Sequence, residues 1–200
     1  MPSSATFSIV AWMNGTRIKG ASLLARLEWT ERKQPGAKQR VLAEIQSADR
    51  HVLGGLVMTM GWYSLELCAR LDAAIAKVLA PDEPPEKIYR LLGHASAADN
   101  LSGAHRLFLR DGTPHGVLSR FPQVRAQYYT DGVATYEYIA PDHARIVVEG
   151  AASVTVADCT STAGYFEEAL ELSGARDARV EHHECLLNGG ARCTFECRWR

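Results

Sequence analysis

The stretch "VEHHECLLNGGARCTFECRW", residues 180–199, decides the fold of this 200-residue chain. Two runs of alternating apolar and polar residues flank Asn188-Gly189-Gly190, and this kind of turn is among the strongest short signals of a β-hairpin. With a three-residue loop, Cys185 is expected to lie directly opposite Cys193. The second strand then places alternate side chains on one apolar face directed into the core, namely Cys193, Phe195, Cys197 and Trp199.

The pattern upstream of the hairpin is mixed. Residues 134–150 alternate with period two around a Pro-Asp turn, which predicts a strand, a turn and a second strand. Residues 161–175 predict a helix that Gly174 stops. The earlier part of the chain shows helical spacing of apolar residues, and helices are predicted over 21–33, 37–46, 64–80, 86–111 and 116–130.

These patterns indicate the α+β class, with an N-terminal helical bundle packed on a C-terminal antiparallel sheet. The helical part is expected to span about residues 19–132, and the α/β part with the terminal hairpin about residues 133–200. Since no polar Pro/Gly linker divides them, we interpret residues 1–200 as a single domain.

Charge and hydropathy exclude two classes of partner. Lys and Arg total 22 against 23 Asp and Glu, so the net charge is −1, which argues against a nucleic-acid-binding protein. No apolar run approaches the roughly 20 residues needed to cross a bilayer, so no membrane partner is expected. The N-terminal "MPSSATFSIVAWMNG" lacks the positive charges of a secretory signal. A cytoplasmic location follows as the expectation, and a reducing compartment favours thiolates over disulfides.

The hairpin thiols predict a metal site. Zinc in structural sites takes four ligands, most often cysteine sulfur and histidine nitrogen. His183 shares strand parity with Cys185, whereas His182 needs a β-bulge to turn inward, and bulges are common next to functional sites. The predicted ligands are therefore a thiol just ahead of the 161–175 helix, one imidazole and the two hairpin thiols: Cys159, His182, Cys185 and Cys193, with His183 as the alternative imidazole.

A site closed by four protein ligands would be structural rather than catalytic. Two other interpretations stay open, because cysteine is among the residues most often buried as a free thiol, and opposed strand positions also permit a disulfide. Cys68 and Cys197 are assigned to the core.

The terminal pattern Cys185…Gly189-Gly190…Cys193-Thr-Phe-Glu…Trp199 resembles the closing signature of the four-vinyl-reductase domain. That domain is a small-molecule-binding module related to haem-nitric-oxide-binding domains. From about Lys19 to Trp199 the chain is similar to an uncharacterised family of myxobacterial paralogues that carries this domain. The further features of this resemblance are Gly61-Trp62-Tyr63, Gly93 to Ala97 with Asn100, and Gln127 to Gly132.

The resemblance implies a helical bundle packed on an antiparallel sheet, and usually a dimer. Phenol-responsive transcription activators with this domain sense aromatic compounds beside a zinc held by Cys, Glu, Cys and Cys. That ligand set falls here on Cys159, His182, Cys185 and Cys193, with His182 in place of the Glu. The haem-binding relatives use a Tyr-x-Ser-x-Arg clamp that this sequence lacks. No haem is therefore expected, although His94 and His105 are conceivable axial ligands.

The predicted function is that of a non-catalytic small-molecule-sensing or regulatory domain with a structural zinc and an apolar ligand, either a lipid or an aromatic. Candidate pocket residues are aromatic side chains with polar tips, which could equally be packing anchors: Tyr128, Tyr129, Tyr165 and Trp62. A homodimer or a regulatory protein partner is expected. The alternative is an interaction scaffold without a ligand. An enzyme ranks last, because nothing places a base on Ser96 and no nucleotide-binding motif is present.

Overall fold

The computed structural model of the chain describes residues 15–103 and 105–200. The N-terminal stretch considered for a secretory signal lies outside the described residues, except for Gly15. Within the described ranges, no helix combines the length and the apolar character that crossing a lipid bilayer demands.

The first part of the chain is helical, as the spacing of its apolar residues predicts. The helices are α1 (Gly20–Lys33), α2 (Ala37–Glu44), α3 (Ser47–Gly54), α4 (Leu65–Leu79) and α5 (Pro85–Ser102). Two short strands, β1 (Arg17–Lys19) and β2 (Trp62–Ser64), form an antiparallel ribbon beside them. The apolar stripes of these helices meet in one core that includes Leu23, Leu27, Leu71 and Ile75.

The predicted helices over 86–111 and 116–130 are wrong in their boundaries. The first ends at Ser102 before Gly103, and a 3-10 helix, Arg106–Asp111, follows it. Thr113 then caps α6 (Pro114–Leu118) by accepting a hydrogen bond from the Gly116 N–H at 3.0 Å. A separate helix, α7 (Phe121–Tyr128), carries Pro122 in its first turn. Glycine ends helices readily and proline is favoured in their first turn. The helices in this region are therefore shorter than the spacing of their apolar residues indicates.

The second part of the chain forms a four-stranded antiparallel sheet covered by one helix. The strands are β3 (Val133–Ala140), β4 (His143–Glu149), β5 (Arg179–Glu184) and β6 (Cys193–Arg198), in the order β3-β4-β6-β5. Helix α8 (Val156–Leu172) packs on one face of the sheet. Its Phe166 lies in one apolar cluster with Phe195 and Ile146 of the strands. The predicted α+β class, with helices on an antiparallel sheet, is confirmed.

Helix α8 begins earlier than the sequence predicts. The side chain of Thr155 accepts a hydrogen bond from the Asp158 N–H at 3.1 Å and so caps the helix. Threonine is a common residue at this position because it satisfies an otherwise unpaired backbone N–H group. Cys159, expected just ahead of the helix, therefore lies inside its first turns.

Two glycines bring α5 and α8 into backbone contact. A Cβ atom added to Gly93 would lie 1.9 Å from the carbonyl oxygen of Ser161, and one added to Gly164 would lie 2.2 Å from that of Arg90. Neither distance leaves room for a side chain. The contact holds α8, and Cys159 with it, at a fixed position against the helical half of the molecule.

Candidate metal centre

The structure brings the four predicted ligands together between α8 and the terminal hairpin. One ligand atom from each of Cys159, His182, Cys185 and Cys193 lies within 4.8 Å of all the others. The Sγ atom of Cys185 is 3.9 Å from the Sγ of Cys159 and 3.9 Å from that of Cys193. A tetrahedral ion with zinc–sulfur bonds of about 2.3 Å would separate two sulfurs by roughly 3.8 Å. All five cysteines are free thiols.

A β-bulge explains how both His182 and Cys185 face this site. His182 pairs with Phe195 and Glu184 pairs with Thr194, so His183 is the extra residue in the register. A bulge of this kind reverses the alternation of side chains beyond it. The ring of His182 stacks on that of Phe195, with centroids 4.4 Å apart and planes at 7°. The ring of His183 points outward and lies 3.0 Å from the Glu181 carboxylate, so the imidazole in the cluster is that of His182.

The three-residue hairpin loop predicted from the sequence is wrong. Residues 185–192 connect the strands and include a 3-10 helix, Leu186–Asn188. The carbonyl of Cys185 accepts hydrogen bonds from the N–H groups of Asn188 and Gly190, both at 3.0 Å. A Cβ atom on Gly190 would lie 2.9 Å from that carbonyl oxygen. The tight loop therefore needs glycine there, and it aims the N–H of Leu187 at the Cys185 Sγ, 3.4 Å away.

The electrostatics of the cluster favour a metal-binding thiolate. The neighbouring Cys159 thiol and then the imidazole of His182 lower the pKa of Cys193 to about 4, although burial opposes the shift. The interaction with Cys193, together with burial, raises the pKa of Cys159. The Nε2 atom of His182 is buried and has no hydrogen-bond partner among the described residues. Buried polar atoms rarely stay unpaired. Three sulfurs and one imidazole form a donor set that suits structural zinc, with no position left for water.

Three of the four predicted pocket residues line one cavity of about 60 Å³ between α1, α5, α7 and α8, namely Tyr128, Tyr129 and Tyr165. The Tyr129 hydroxyl donates to Asp158 Oδ1 at 2.7 Å, and the Tyr128 hydroxyl donates to Asn100 Oδ1 at 3.2 Å. Burial and then the Asp158 carboxylate raise the pKa of Tyr129. The fourth, Trp62, does not reach the cavity.

Trp62 lies on the β1–β2 ribbon at the surface. It is 40% exposed, and the Lys19 Nζ stands 3.7 Å from its ring centroid. Trp62 therefore neither lines this cavity nor acts as a buried packing anchor. A three-residue strand at the edge of the molecule exposes alternate side chains, and this strand lies just ahead of the helix predicted from residue 64.

The cavity adjoins the metal centre. Arg125 and Thr162 line the cavity and also line a narrow crevice that reaches Cys159 and Cys193. Sequence reasoning missed the contribution of Arg125, because an arginine in a short amphipathic helix is usually a surface residue.

A buried ion pair beside the cavity was also missed. The Nε of Arg26 on α1 lies 2.6 Å from the Oδ1 of Asp72 on α4, and both side chains are almost fully buried. The Nη2 of Arg26 donates to the Ser161 Oγ on α8 at 3.3 Å. Burial raises the pKa of Asp72, and the Arg26 guanidinium opposes that effect. The pair links three helices that are far apart in sequence, so no local pattern reveals it.

A histidine clamp joins α5 to α8 away from the metal. His94 Nδ1 lies 3.0 Å from Glu168 Oε2, and His94 Nε2 lies 3.3 Å from Glu167 Oε2. Only a protonated imidazole donates from both nitrogens. The hydrogen bonds to Glu167 and then to Glu168 raise the pKa of His94, against an opposing effect of burial.

We expect this clamp to stabilise the protein more at pH 6 than at pH 8.5. A histidine whose pKa is raised by folding contributes its full stabilisation below the unfolded value of about 6.5 and loses it as the pH rises through the folded value. His94→Asn should lower the free energy of unfolding by about 1 kcal/mol at pH 6 and by less at pH 8.5. Urea unfolding at both pH values measures this difference. The exposed His51 on α3, changed to Asn, is the control, and an equal loss at both pH values contradicts the prediction.

Comparisons with known proteins identify the fold. No protein-family model matches the chain, and no curated protein sequence matches it. It is similar in structure to an unliganded Fe(II) H-NOX protein from K. algicida, with a TM-score of 0.69, 12% identity, and 92% and 97% coverage of the two chains. It is also similar to an H-NOX protein from S. oneidensis in the Fe(II)NO ligation state, with a TM-score of 0.71, 10% identity, and 92% and 99% coverage. The chain therefore has an H-NOX-like fold.

The side chains of this protein, as they are arranged, do not fit a haem. The cavity among the helices measures about 60 Å³, whereas cofactor pockets usually measure about 300–1,000 Å³. A groove of about 330 Å³ is lined by side chains such as Glu44, Asp49 and Lys77 and contains no histidine. His105 has a buried Nε2 without a hydrogen-bond partner among the described residues, but it stacks on Phe108 and does not line the cavity. The absence of haem stays a prediction.

Proposed function

We propose that this chain is a non-catalytic regulatory domain that carries a structural zinc ion and senses a small molecule. The observation that supports it most directly is the convergence of four metal-binding atoms within 4.8 Å between α8 and the hairpin. A zinc ion there would be held by Cys159, His182, Cys185 and Cys193 and would tie the helix to the sheet. A resident structural ion supplies folding energy rather than chemistry.

The sensing part of the proposal rests on the cavity between the helices. It adjoins the metal centre through Arg125 and Thr162. One of the H-NOX proteins of similar fold is in the Fe(II)NO ligation state, so that protein binds a small molecule. A ligand that binds one arrangement of α7 and α8 better than another would shift their populations. The expected lipid or aromatic ligand requires the helices to separate, because even benzene occupies an engineered cavity of about 150 Å³.

Ser96 does not offer the nucleophile that an enzyme would need. Its hydroxyl donates to the Leu92 carbonyl of its own helix at 2.8 Å. A serine nucleophile instead needs a general base within hydrogen-bond reach. This contact supports the non-catalytic part of the proposal.

The apolar segment between α3 and β2 supports a partner surface, either for a homodimer or for a regulatory protein. Leu56, Met58 and Met60 are 90%, 61% and 73% exposed. Backbone hydrogen bonds from Gly20 and Ala21 to this segment hold it in place. A fixed apolar surface favours protein association. The same surface suits the alternative of an interaction scaffold, and light scattering at rising concentration measures whether the chain self-associates.

The metal proposal predicts about one zinc and no iron per chain in protein produced in zinc-supplemented medium, measured by mass spectrometry. Cys185→Ser should lose most of the zinc, because serine is not a zinc ligand of this class. Cys197→Ser, which changes a buried thiol of β6 outside the cluster, should keep it. Wild-type protein that is folded and free of metal contradicts the proposal.

A further inference from the structure

Arg125 is a buried cation beside the cavity. Its side chain is 4% exposed. Its Nε donates to the Gly132 carbonyl at 3.1 Å, and its guanidinium carbon stands 4.1 Å from the ring centroid of Tyr129. Among the side chains that the structure describes, none of the ion pairs includes Arg125. A buried charge without an ionic partner is costly.

The charge of the second arginine that lines the cavity is neutralised by a carboxylate. Arg26 also lines the cavity, but Asp72 neutralises it at 2.6 Å. Asp158 lies with Arg125 along the neighbouring crevice, where its Oδ1 accepts the hydrogen bond from Tyr129. No contact within ion-pair distance joins Asp158 to Arg125 in the described structure. The cavity therefore faces one positive charge that the side chains around it leave without a direct partner.

The size and the walls of the cavity restrict what could bind there. A volume of about 60 Å³ admits a few water molecules or a ligand of a few non-hydrogen atoms. Ile18, Phe121 and Val124 supply apolar wall, and Ser161 and Thr162 supply hydroxyl groups. The planar guanidinium presents parallel N–H donors that match a carboxylate, and two of its five N–H groups are engaged by the Gly132 and Asp131 carbonyls.

We infer that the cavity binds a small monocarboxylate, with its charged head on the guanidinium of Arg125 and its short apolar tail against Phe121 and Val124. This inference rests on the sensing cavity of the proposed function and names a ligand that fits the cavity without separation of the helices, in place of the expected lipid or aromatic. The carboxylate would neutralise the unpaired charge, and the apolar wall would select against more hydrated anions. Because Arg125 Nε is also bonded to Gly132, directly ahead of β3, the bound anion would join α7 to the start of the sheet.

Titration calorimetry and thermal unfolding with sodium acetate test the inference, with sodium chloride at the same ionic strength as the reference. Acetate should bind and raise the melting temperature by a few degrees, whereas acetamide, its neutral analogue, should not.

Arg125→Gln should weaken acetate binding at least tenfold. Val124→Ile keeps the guanidinium but adds a methylene group to the wall, and it should also weaken binding. Arg70→Gln, which removes a surface arginine paired with Asp49, is the matched control and should bind as the wild type does.

Two results would overturn the inference: equal responses to acetate and acetamide, or unchanged acetate binding in Arg125→Gln. If Arg125→Gln does not fold, then the acetamide comparison and Val124→Ile decide. Zinc content, measured on the same preparations, separates the two proposals. Zinc without acetate binding rejects the carboxylate ligand alone, and acetate binding without zinc rejects the structural metal alone.

Discussion

Cys193→Ser is expected to abolish stable zinc binding and to lower the free energy of unfolding by several kcal/mol, on the order of 5 kcal/mol. Binding of structural zinc is coupled to folding, with apparent binding free energies of about 10–16 kcal/mol in zinc-finger peptides, so the variant loses the stabilisation that the ion supplies. Cys193 is 2% exposed, so the serine also places a hydroxyl in an apolar site. Urea unfolding followed by circular dichroism, with and without a zinc chelator, measures both effects.

The control for this prediction is Cys197→Ser on the same strand, where the thiol is fully buried but lies outside the ligand set. That substitution makes the same chemical change and carries the same packing and polar cost. It should therefore lose stability and still respond to the chelator as the wild type does. Cys193→Ser should no longer respond. A wild-type protein whose unfolding the chelator leaves unchanged would show that no metal supports the fold.

The second large effect is expected at the buried ion pair. Asp72→Leu leaves the Arg26 guanidinium buried without its carboxylate, and it should cost about 3–5 kcal/mol of unfolding free energy. The double variant Arg26→Met/Asp72→Leu removes both charges and should recover most of that loss, because well-packed apolar side chains often replace a buried pair at little cost. Chemical denaturation of the two variants and the wild type measures the coupling.

A double variant as unstable as Asp72→Leu would contradict this interpretation. It would mean that the cost arises from packing or from the lost hydrogen bond to Ser161 rather than from an unpaired charge. Arg26→Met alone completes the cycle and separates the two contributions.

The sequence predicted the hairpin and its ligands because strand alternation and turn chemistry act over a few residues. It also anticipated the bulge, since His182 and Cys185 cannot share a face on a regular strand. The loop length was misjudged because the 3-10 turn after Cys185 depends on three hydrogen bonds, to a carbonyl and a sulfur, that no residue pattern encodes.

The parts of the site that the sequence did not reveal depend on distant contacts. The cavity lies among four helices, and the Arg26–Asp72 pair joins α1 to α4. In a single sequence, each of these residues looks like an ordinary member of an amphipathic helix. The three-residue strands β1 and β2 are too short to show a period of two. Local patterns therefore predicted most of the elements and the metal ligands, whereas the cavity and the ion pair depend on how the helices pack.

The glycine crossing of α5 and α8 restricts the substitutions that related chains can accept. Alanine at position 93 alone would bring a methyl group within 1.9 Å of a main-chain oxygen, and position 164 is nearly as confined. Related chains that keep this helix crossing should keep glycine at both positions. The residues on the outward faces of the same two helices can vary in sequence. A homologue with larger residues at both positions would have its helices farther apart, with a wider chamber between them.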